Sequence, residues 1–198
     1  PTASSRLGEK NRNCITIVNL RCSCGMRSLP AALVTGASRG LGLEFCRQLL
    51  HARPSATVLA TCRDPLGASA EGLRSLQSMS AGRLEVRALD VASEASIEAL
   101  GAELKDAAPS TASSSELRLL VNCAGILSPD GKGETSLRGV GLERLQTTMA
   151  TNAFGPLLMA KHIGGLMQQG GSSDLVTPRI VNLSARVGSI GDNRLGGW

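Results

Sequence analysis

The sequence of 198 residues predicts an α/β fold, in which helices cover both faces of a doubly wound parallel sheet. Short apolar segments recur along the chain, and each has the length of a buried strand. Stretches whose apolar residues follow helical spacing separate these segments. A glycine-rich turn joins the first apolar segment to the first helical stretch. Strands that alternate with helices in this way form parallel sheets with two buried faces.

The first strand and helix follow directly from the residue pattern. Residues 31–36 (AALVTG) form the first predicted strand, and residues 40–52 form the helix after it. The apolar residues of this helix share one face: Leu43, Cys46, Leu49 and Leu50. We expect the helix to end before Pro54, because a proline ring disfavours helical geometry in the residue that precedes it.

Four more strands are predicted, at residues 57–62, 83–91, 116–125 and 179–184. Three more helical stretches are predicted. The first covers residues 66–82, the second begins after Ser93 as its N-cap, and the third covers residues 141–169. The second of these presents Ile97, Leu100 and Leu104 on one face. Polar segments predict a linker at residues 109–115 and a loop at residues 170–178. Together these elements predict one Rossmann-like domain of three layers, αβα, over residues 31–198.

Charge is distributed unevenly along the chain. Residues 1–30 hold five of the 21 basic residues and one of the 16 acidic ones, which leaves 16 basic and 15 acidic residues in the body. A nearly neutral body excludes a nucleic-acid reader, whose basic patch lies on the folded domain. The chain has no apolar run of the ~20 residues that span a bilayer, so no membrane partner is expected.

Residues 1–30 are predicted to be a leader outside the domain, either disordered or a transit peptide. A transit peptide would direct the protein to a plastid or mitochondrion, and otherwise we expect a cytoplasmic protein. The pair Cys22 and Cys24 has no second Cys/His pair nearby, so no metal site is predicted. The apolar surroundings of Cys46, Cys62 and Cys123 indicate small core residues.

The glycine-rich turn, TGASRGLG from Thr35 to Gly42, is the motif that indicates a ligand. Gly36 allows a sharp turn, Gly40 allows the backbone to approach a pyrophosphate, and Gly42 allows close packing of the helix on the sheet. The N–H groups at the start of the helix would face the phosphates. The residues predicted to form this cradle are Gly36, Ser38, Arg39, Gly40, Leu41 and Gly42.

The spacing T-G-x-x-x-G-x-G resembles the motif of the short-chain dehydrogenase/reductase family, and the resemblance extends over residues 31–198. Asn122-Cys123-Ala124-Gly125 is similar to the family's N-N-A-G element, which implies that Asn122, Ala124 and Gly125 line the coenzyme. Asp90 and Val91 resemble the residues that contact the adenine, and Asn152 resembles the family's helix asparagine. The segments TCRDP and VGSIGDN resemble the sniffer-like carbonyl reductases, which use NADPH.

The end of the second strand predicts which coenzyme is bound. NAD sites place an acidic residue there to hold the ribose, but this strand ends Thr61-Cys62-Arg63. Arg39 and Arg63 favour the additional phosphate of NADP, because guanidinium groups match phosphate oxygens. Asp64 leaves NAD open as an alternative, since a small shift of the chain would make it a ribose ligand.

Asn152 is predicted to lie at the edge of an apolar helical arc made of Leu142, Leu145, Met149, Pro156, Ala160, Ile163 and Met167. Pro156 lacks an N–H, so the carbonyl of Asn152 loses its usual helical donor. The resemblance implies that this carbonyl holds a relay water beside an active-site lysine. The alternative is a kinked core helix whose asparagine bonds neighbouring strands.

The resemblance also implies a catalytic tyrosine, a lysine four residues later and a serine after the fifth strand. The chain contains no tyrosine, so it is predicted to be truncated before that motif, with an incomplete sheet and a bare apolar edge at its fifth strand. Ser184 is the preferred serine, although alignment on Gly188 places Ala185 at that position and leaves Ser189 nearby. Lys161 and the two histidines, His51 and His162, are predicted to lie on the surface.

The sequence therefore predicts an NADP-dependent oxidoreductase that acts on a small carbonyl or alcohol substrate. Residues 126–140 are expected to form part of the rim of the substrate site. The resemblance implies a homodimer or homotetramer for a full-length protein. A non-catalytic NADP(H)-binding module, such as a short isoform, and another doubly wound enzyme, such as a methyltransferase, are the alternatives.

Overall fold

The computed structural model describes residues 31–55, 57–107, 117–134, 136–167 and 177–192. The predicted leader, the linker at 109–115 and most of the loop at 170–178 lie outside these residues. Five parallel strands form one sheet: β1 Ala31–Val34, β2 Val58–Cys62, β3 Leu84–Ala88, β4 Leu117–Asn122 and β5 Arg179–Asn182. The order β3-β2-β1-β4-β5 confirms the predicted doubly wound topology, with its switch point between β1 and β4.

In the described part of the chain, five α-helices flank the strands: α1 Gly40–Ala52, α2 Glu71–Met79, α3 Glu94–Ala107, α4 Leu142–Met149 and α5 Gly155–Ile163. A π-helical turn, Ala150–Phe154, joins α4 to α5. The predicted N-cap of α3 is confirmed, because Ser93 Oγ accepts the N–H of Ser96 at 3.3 Å. In the described part of the chain, no helix is both long and apolar enough to cross a bilayer.

The sheet separates two apolar cores. Val34 faces the core beneath α1 and α2, and its neighbour Leu33 faces the core beneath α3 and α5. Both side chains are fully buried, and full burial of such a side chain contributes ~1.5–3 kcal/mol. Burial of β1 on both faces explains why its sequence is continuously apolar rather than alternating.

The prediction of a single apolar arc along residues 141–169 was wrong in its first half. Ile163 and Met167 are buried as predicted, and Met159, outside the predicted arc, is buried too, but Leu142 and Leu145 are 71% and 48% exposed. The π turn contains more residues per turn than an α-helix, so it changes the phase between α4 and α5. The apolar face of α4 therefore does not continue that of α5.

Strand β5 lies at one edge of the sheet, and all four of its residues are exposed. Ile180 and Val181 are 42% and 39% exposed, which matches the apolar edge predicted from the sequence. Among the described residues, β5 pairs with β4 alone. The carboxyl ends of β1, β4 and β5 bring the motifs that the sequence singled out to one side of the molecule.

Candidate nucleotide-binding site

Gly36 turns the chain out of β1 and lies against the loop that follows β4. Its φ of +66° belongs to the left-handed region that favours glycine. A Cβ at this position would come within 2.6 Å of the Cα of Ala124. The two loops therefore approach each other more closely than any side chain would permit, and both predicted coenzyme residues contribute to that approach.

Gly40 opens α1 and faces free space. Its φ is +58°, and a Cβ built on it would meet no atom within 4 Å among the described residues. Arg39 occupies the N-cap position without a side-chain capping bond, so no side chain occupies the first N–H groups of the helix as a cap. An open approach to unoccupied N–H groups at a helix N-terminus is the geometry that binds phosphate. Ser38 and the half-exposed Leu41 border the same turn.

Gly42 has a different role from the predicted one. A Cβ on Gly42 would overlap the carbonyl oxygen of Gly36 and lie 3.0 Å from the Cα of Ala37. The absent side chain thus lets the first turn of α1 pack against its own glycine loop rather than against the sheet.

Thr35 connects β1 to the loop after β4, and the sequence analysis did not identify it as a site residue. Its side chain is buried, and Oγ1 accepts the N–H groups of Cys123 and Ala124, each at 3.1 Å. Its own N–H donates to the carbonyl of Val121 at 2.9 Å. A threonine directly after an apolar strand was the available signal, because a buried hydroxyl needs partners.

The charged side chains of the glycine turn and of the end of β2 differ in whether they have hydrogen-bond partners. Arg39 and Arg63 are exposed, and in the part of the chain that the structure describes neither guanidinium has a hydrogen bond or an ion pair. Asp64 is engaged in a turn instead, since its Oδ1 accepts the N–H groups of Leu66 at 3.1 Å and Gly67 at 2.9 Å. The alternative in which Asp64 holds a ribose therefore loses support, and the two arginines are available for an anion.

Asp90 and Val91 form the loop after β3. Asp90 is exposed, and its Oδ1 accepts the N–H of Ala92 at 3.0 Å. Val91 is buried, and a Cβ on Gly155 would lie 2.9 Å from its carbonyl oxygen. The loop after β3 therefore contacts the start of α5, directly after the π turn that holds Asn152.

Asn152 lies in the π turn and holds the loop after β4 with both ends of its amide. Its Oδ1 accepts the N–H of Ile126 at 2.9 Å, and its Nδ2 donates to the carbonyl of Ile126 at 2.6 Å. The same Oδ1 lies 3.5 Å from a Cβ built on Gly125. The side chain thus positions the residues next to Gly125, and the predicted role of the Asn152 carbonyl stays a prediction. Such π turns occur frequently at functional sites.

A polar network fixes the rim of the site at residues 128–134, within the rim predicted from the sequence. Ser128 Oγ is buried and donates to Asp130 Oδ1 at 2.6 Å. Arg144 of α4 reaches the same oxygen at 3.1 Å and binds Glu134 at 2.9 Å. The hydroxyl of Ser128, the N–H of Lys132 and then Arg144 lower the pKa of Asp130 to about 2. The individual partners could not be identified from the sequence.

Ser184 follows β5 at the same edge of the sheet and is exposed. The N–H of Leu183 donates to the carbonyl of Asn122 at 3.0 Å, which continues the ladder between β4 and β5 by one residue. A Cβ on Gly188 would lie 3.0 Å from Ser184 Oγ, so the chain folds back over this hydroxyl. The choice among Ser184, Ala185 and Ser189 stays a prediction.

The remaining predicted surface groups and thiols take no part in the site. Lys161 donates to Glu94 at 2.6 Å, and the Nε2 of His162 lies 3.0 Å from the same carboxylate. Cys46 is fully buried, and its burial raises the pKa of its thiol to about 12. The described residues contain no group of three or more His, Cys, Asp or Glu that could hold a metal ion.

The fold and the glycine turn together define an α/β protein with a doubly wound, Rossmann-like sheet. The short chain dehydrogenase family matches residues 30–195, which is most of the chain. This chain belongs to the short-chain dehydrogenase/reductase family.

Known members of the family differ from this chain in length. The (+)-neomenthol dehydrogenase of Arabidopsis thaliana is 33% identical over 182 residues, which cover 84% of this chain and 57% of that protein. The (-)-isopiperitenone reductase of Mentha piperita is 29% identical over 194 residues, covering 80% of this chain and 57% of that protein. The chain thus spans little more than half the length of these curated relatives.

Solved structures show the same architecture. The NADPH-bound carbonyl reductase from chicken fatty liver superposes with a TM-score of 0.71 at 32% identity, covering 86% of this chain and 64% of that one. The carbonyl reductase Sniffer of Caenorhabditis elegans superposes with a TM-score of 0.69 at 25% identity, covering 87% of this chain and 70% of that one. These structures confirm the predicted resemblance to carbonyl reductases.

Proposed function

We propose that this chain forms the NADP(H)-binding part of an oxidoreductase that acts on a small carbonyl or alcohol substrate. The observation that carries the proposal is the turn around Gly40, which is open to a ligand and begins a helix whose first N–H groups no side chain caps. Arg39 lies in this turn and Arg63 directly follows β2, and neither guanidinium has a hydrogen-bond or ion-pair partner among the described residues. The carboxylate of Asp64, in contrast, accepts two backbone N–H groups. This distribution of charge favours a 2′-phosphate over a free ribose hydroxyl.

Residues at the ends of β1, β2, β3 and β4 would hold the coenzyme from its adenine to its nicotinamide half. The amides from Ser38 to Gly42 would hold the pyrophosphate, and Arg39 and Arg63 would hold the 2′-phosphate. Asp90 and Val91 would border the adenine. Asn122, Ala124 and Gly125 would line the floor beneath the nicotinamide half. The chicken carbonyl reductase with NADPH and a metagenomic short-chain oxidoreductase with NADP support this assignment, since both share the fold.

The bound coenzyme would supply the hydride. Ser184 would donate a hydrogen bond from its hydroxyl to the substrate oxygen, because it lies at the carboxyl edge of β5 and is exposed. The amide of Asn152 would hold the loop at Ile126 in place beneath the substrate. The network around Arg144 would keep the rim at residues 128–134 fixed during binding.

A non-catalytic NADP(H)-binding module is the second candidate, and the composition of the chain favours it. The 198 residues include no tyrosine, so this chain offers no tyrosine as a proton donor for carbonyl reduction. Both candidates require the coenzyme site, and they differ in turnover. Oxidation of NADPH in the presence of a small aromatic aldehyde would favour the enzyme, and binding without oxidation would favour the module.

Titration calorimetry of the 198-residue chain with NADPH, NADH and S-adenosylmethionine tests the proposal. We expect NADPH to bind more tightly than NADH, and S-adenosylmethionine not to bind. Arg63→Gln should weaken NADPH about tenfold and leave NADH unchanged, because one charged hydrogen bond to phosphate contributes about 1.5–3 kcal/mol. Arg53→Gln, beyond the far end of α1, is the matched control and should leave both affinities unchanged. Equal binding of NADPH and NADH by the wild-type chain would contradict the assignment.

A further inference from the structure

We infer that Asn182 is a positioning residue, whose amide fixes the end of β5 and hence the location of Ser184. The inference rests on the proposed function, since Ser184 matters only if this edge binds a substrate. It concerns a contact between two asparagines on neighbouring strands. Asn122 Nδ2 donates to Asn182 Oδ1 at 2.8 Å.

The contact lies where the two parts of the candidate site meet. Asn122 and Asn182 are register partners in the parallel ladder of β4 and β5. Directly after Asn122, the chain forms the coenzyme floor at Ala124 and Gly125. Two residues after Asn182, it reaches Ser184. The amide contact therefore joins the coenzyme strand to the serine strand at their last paired residues.

Apart from Leu183, which packs against the core beneath α1 and α2, few other interactions in the described part of the chain fix this end of β5. The four residues of the strand are exposed, and among the described residues the strand pairs with β4 alone. Beyond the strand, one backbone hydrogen bond continues the ladder, from Leu183 N–H to the Asn122 carbonyl at 3.0 Å. An edge strand with so few contacts frays at its end, and a side-chain bond there has a large effect on the local opening equilibrium.

The buried side chain of Asn122 depends on this contact for its hydrogen bonding. Asn122 is 3% exposed, and its Oδ1 is the buried side-chain oxygen without a hydrogen-bond partner in the described part of the chain. The bond to Asn182 is therefore the side-chain hydrogen bond that this buried amide makes. Removal of the acceptor on Asn182 would leave both ends of the Asn122 amide without partners, which buried polar groups tolerate poorly.

Two substitutions of similar size separate the acceptor from the shape of the side chain. Asn182→Asp keeps an oxygen for the Asn122 amide, and its charge stays exposed at the sheet edge. Asn182→Leu keeps the branching of the side chain and its number of heavy atoms, and removes the acceptor. Val181→Thr, on the adjacent exposed residue of β5, is the matched control.

Amide hydrogen exchange followed by NMR on the 198-residue chain provides the test. We expect Asn182→Leu to increase exchange of the Leu183 amide about tenfold, because the lost bond and the unpaired amide both favour local opening. Asn182→Asp should restore the wild-type rate, and Val181→Thr should match the wild type. When NADPH is added, the amides of both Ala124 and Leu183 should exchange more slowly in the wild type and in Asn182→Asp. In Asn182→Leu, the Ala124 amide should be protected and the Leu183 amide should not.

Three results would overturn the inference. They are an unchanged Leu183 rate in Asn182→Leu, an equal increase in both Asn182 variants, or an increase spread evenly over β1 and β2. The rates without NADPH test Asn182 whether or not the coenzyme binds. A failure of NADPH to bind the wild type would contradict the proposed function and leave the comparison of the variants intact.

Discussion

The hydroxyl of Thr35 accepts the backbone N–H of Ala124 at 3.1 Å, across 89 residues of sequence. The same oxygen accepts the N–H of Cys123, so one buried side chain fixes the loop after β4 against the end of β1. This contact holds Gly36 against Ala124 and fixes the separation between the loops that follow β1 and β4. The proposed coenzyme site therefore depends on Thr35, a buried residue that the sequence analysis did not assign to it.

Thr35→Val should destabilise the fold by about 2–3 kcal/mol, since it keeps the shape of the side chain and leaves two N–H groups unpaired. Thr35→Ser keeps the oxygen and should cost about 1 kcal/mol for the lost methyl group. Urea unfolding followed by circular dichroism measures both changes. Equal losses in the two variants would show that packing, rather than the hydroxyl, holds the loops together.

Gly40→Ala should weaken NADPH binding at least tenfold while costing only about 1–2 kcal/mol of stability for its left-handed backbone. Gly82→Ala is the matched control, because Gly82 also has a positive φ, of +78°, and a Cβ there would also meet no atom within 4 Å. Calorimetry should show unchanged NADPH affinity for Gly82→Ala. A loss of affinity in both variants would indicate a general backbone effect.

Gly36→Ala should lower the stability of the fold, whereas Gly40→Ala should mainly lower the affinity for NADPH. Its Cβ would lie 2.6 Å from the backbone of Ala124, which cannot move aside as a flexible side chain can. We expect a loss of about 3 kcal/mol or more in unfolding free energy. A stable Gly36→Ala protein that has lost only its NADPH affinity would contradict the close approach described here.

Asn152→Leu should release the loop at Ile126, because it removes both hydrogen bonds of the amide. We expect a loss of about 2 kcal/mol in stability and faster exchange of the Ile126 amide. Asn152→Asp retains an acceptor for that amide and should lie between the wild type and Asn152→Leu. Thr151→Ala serves as the control, since among the described residues the hydroxyl of Thr151 bonds to the carbonyl of Thr147, one helical turn earlier, and not to the loop at Ile126. An unchanged Ile126 rate in Asn152→Leu would refute the assigned role.

Lowering the pH should destabilise the segment at residues 128–134, because the carboxylate of Asp130 becomes protonated. Its pKa is lowered from 3.8 to about 2 by the Ser128 hydroxyl first, and then by the Lys132 N–H and Arg144. A lowered pKa in the folded state means that the stabilising contribution is complete above pH 3.8 and is lost as the pH falls toward 2. The difference in thermal midpoint between the wild type and Asp130→Asn should therefore shrink between pH 5 and pH 2. A difference that is constant over this range would rule out the contribution of the carboxylate.

The local elements were predictable where neighbouring residues decide the structure. The bounds of α1 follow from its glycine turn and from Pro54, and the structure has the helix at residues 40–52 as predicted. The strands were placed correctly and overestimated at their ends, because apolar residues continue into loops such as the one after Asn122. The glycine turn was recognisable because its glycines lie between a predicted strand and a predicted helix, and the structure shows the left-handed backbone that glycine tolerates at Gly36 and Gly40.

Features that depend on distant partners were not predictable. The contacts of Thr35, Asn182 and Arg144 join residues that only the folded chain brings together. The π turn at Ala150–Phe154 has no periodic signature, so the arc of Leu142 and Leu145 was assigned to the core although both are exposed. The choice between Asp64 and the arginines likewise required the turn at Gly67 to be seen.

The turn at Asp64 has a consequence for redesigning the chain toward NADH. Its Oδ1 already receives two backbone N–H groups, so freeing this carboxylate for a ribose would leave the N–H groups of Leu66 and Gly67 without this acceptor. A designer should instead install a new acid at position 63, where the existing arginine has no hydrogen-bond or ion-pair partner among the described residues. Replacement of Arg63 by an acidic residue is therefore the single substitution expected to shift the chain from NADPH toward NADH.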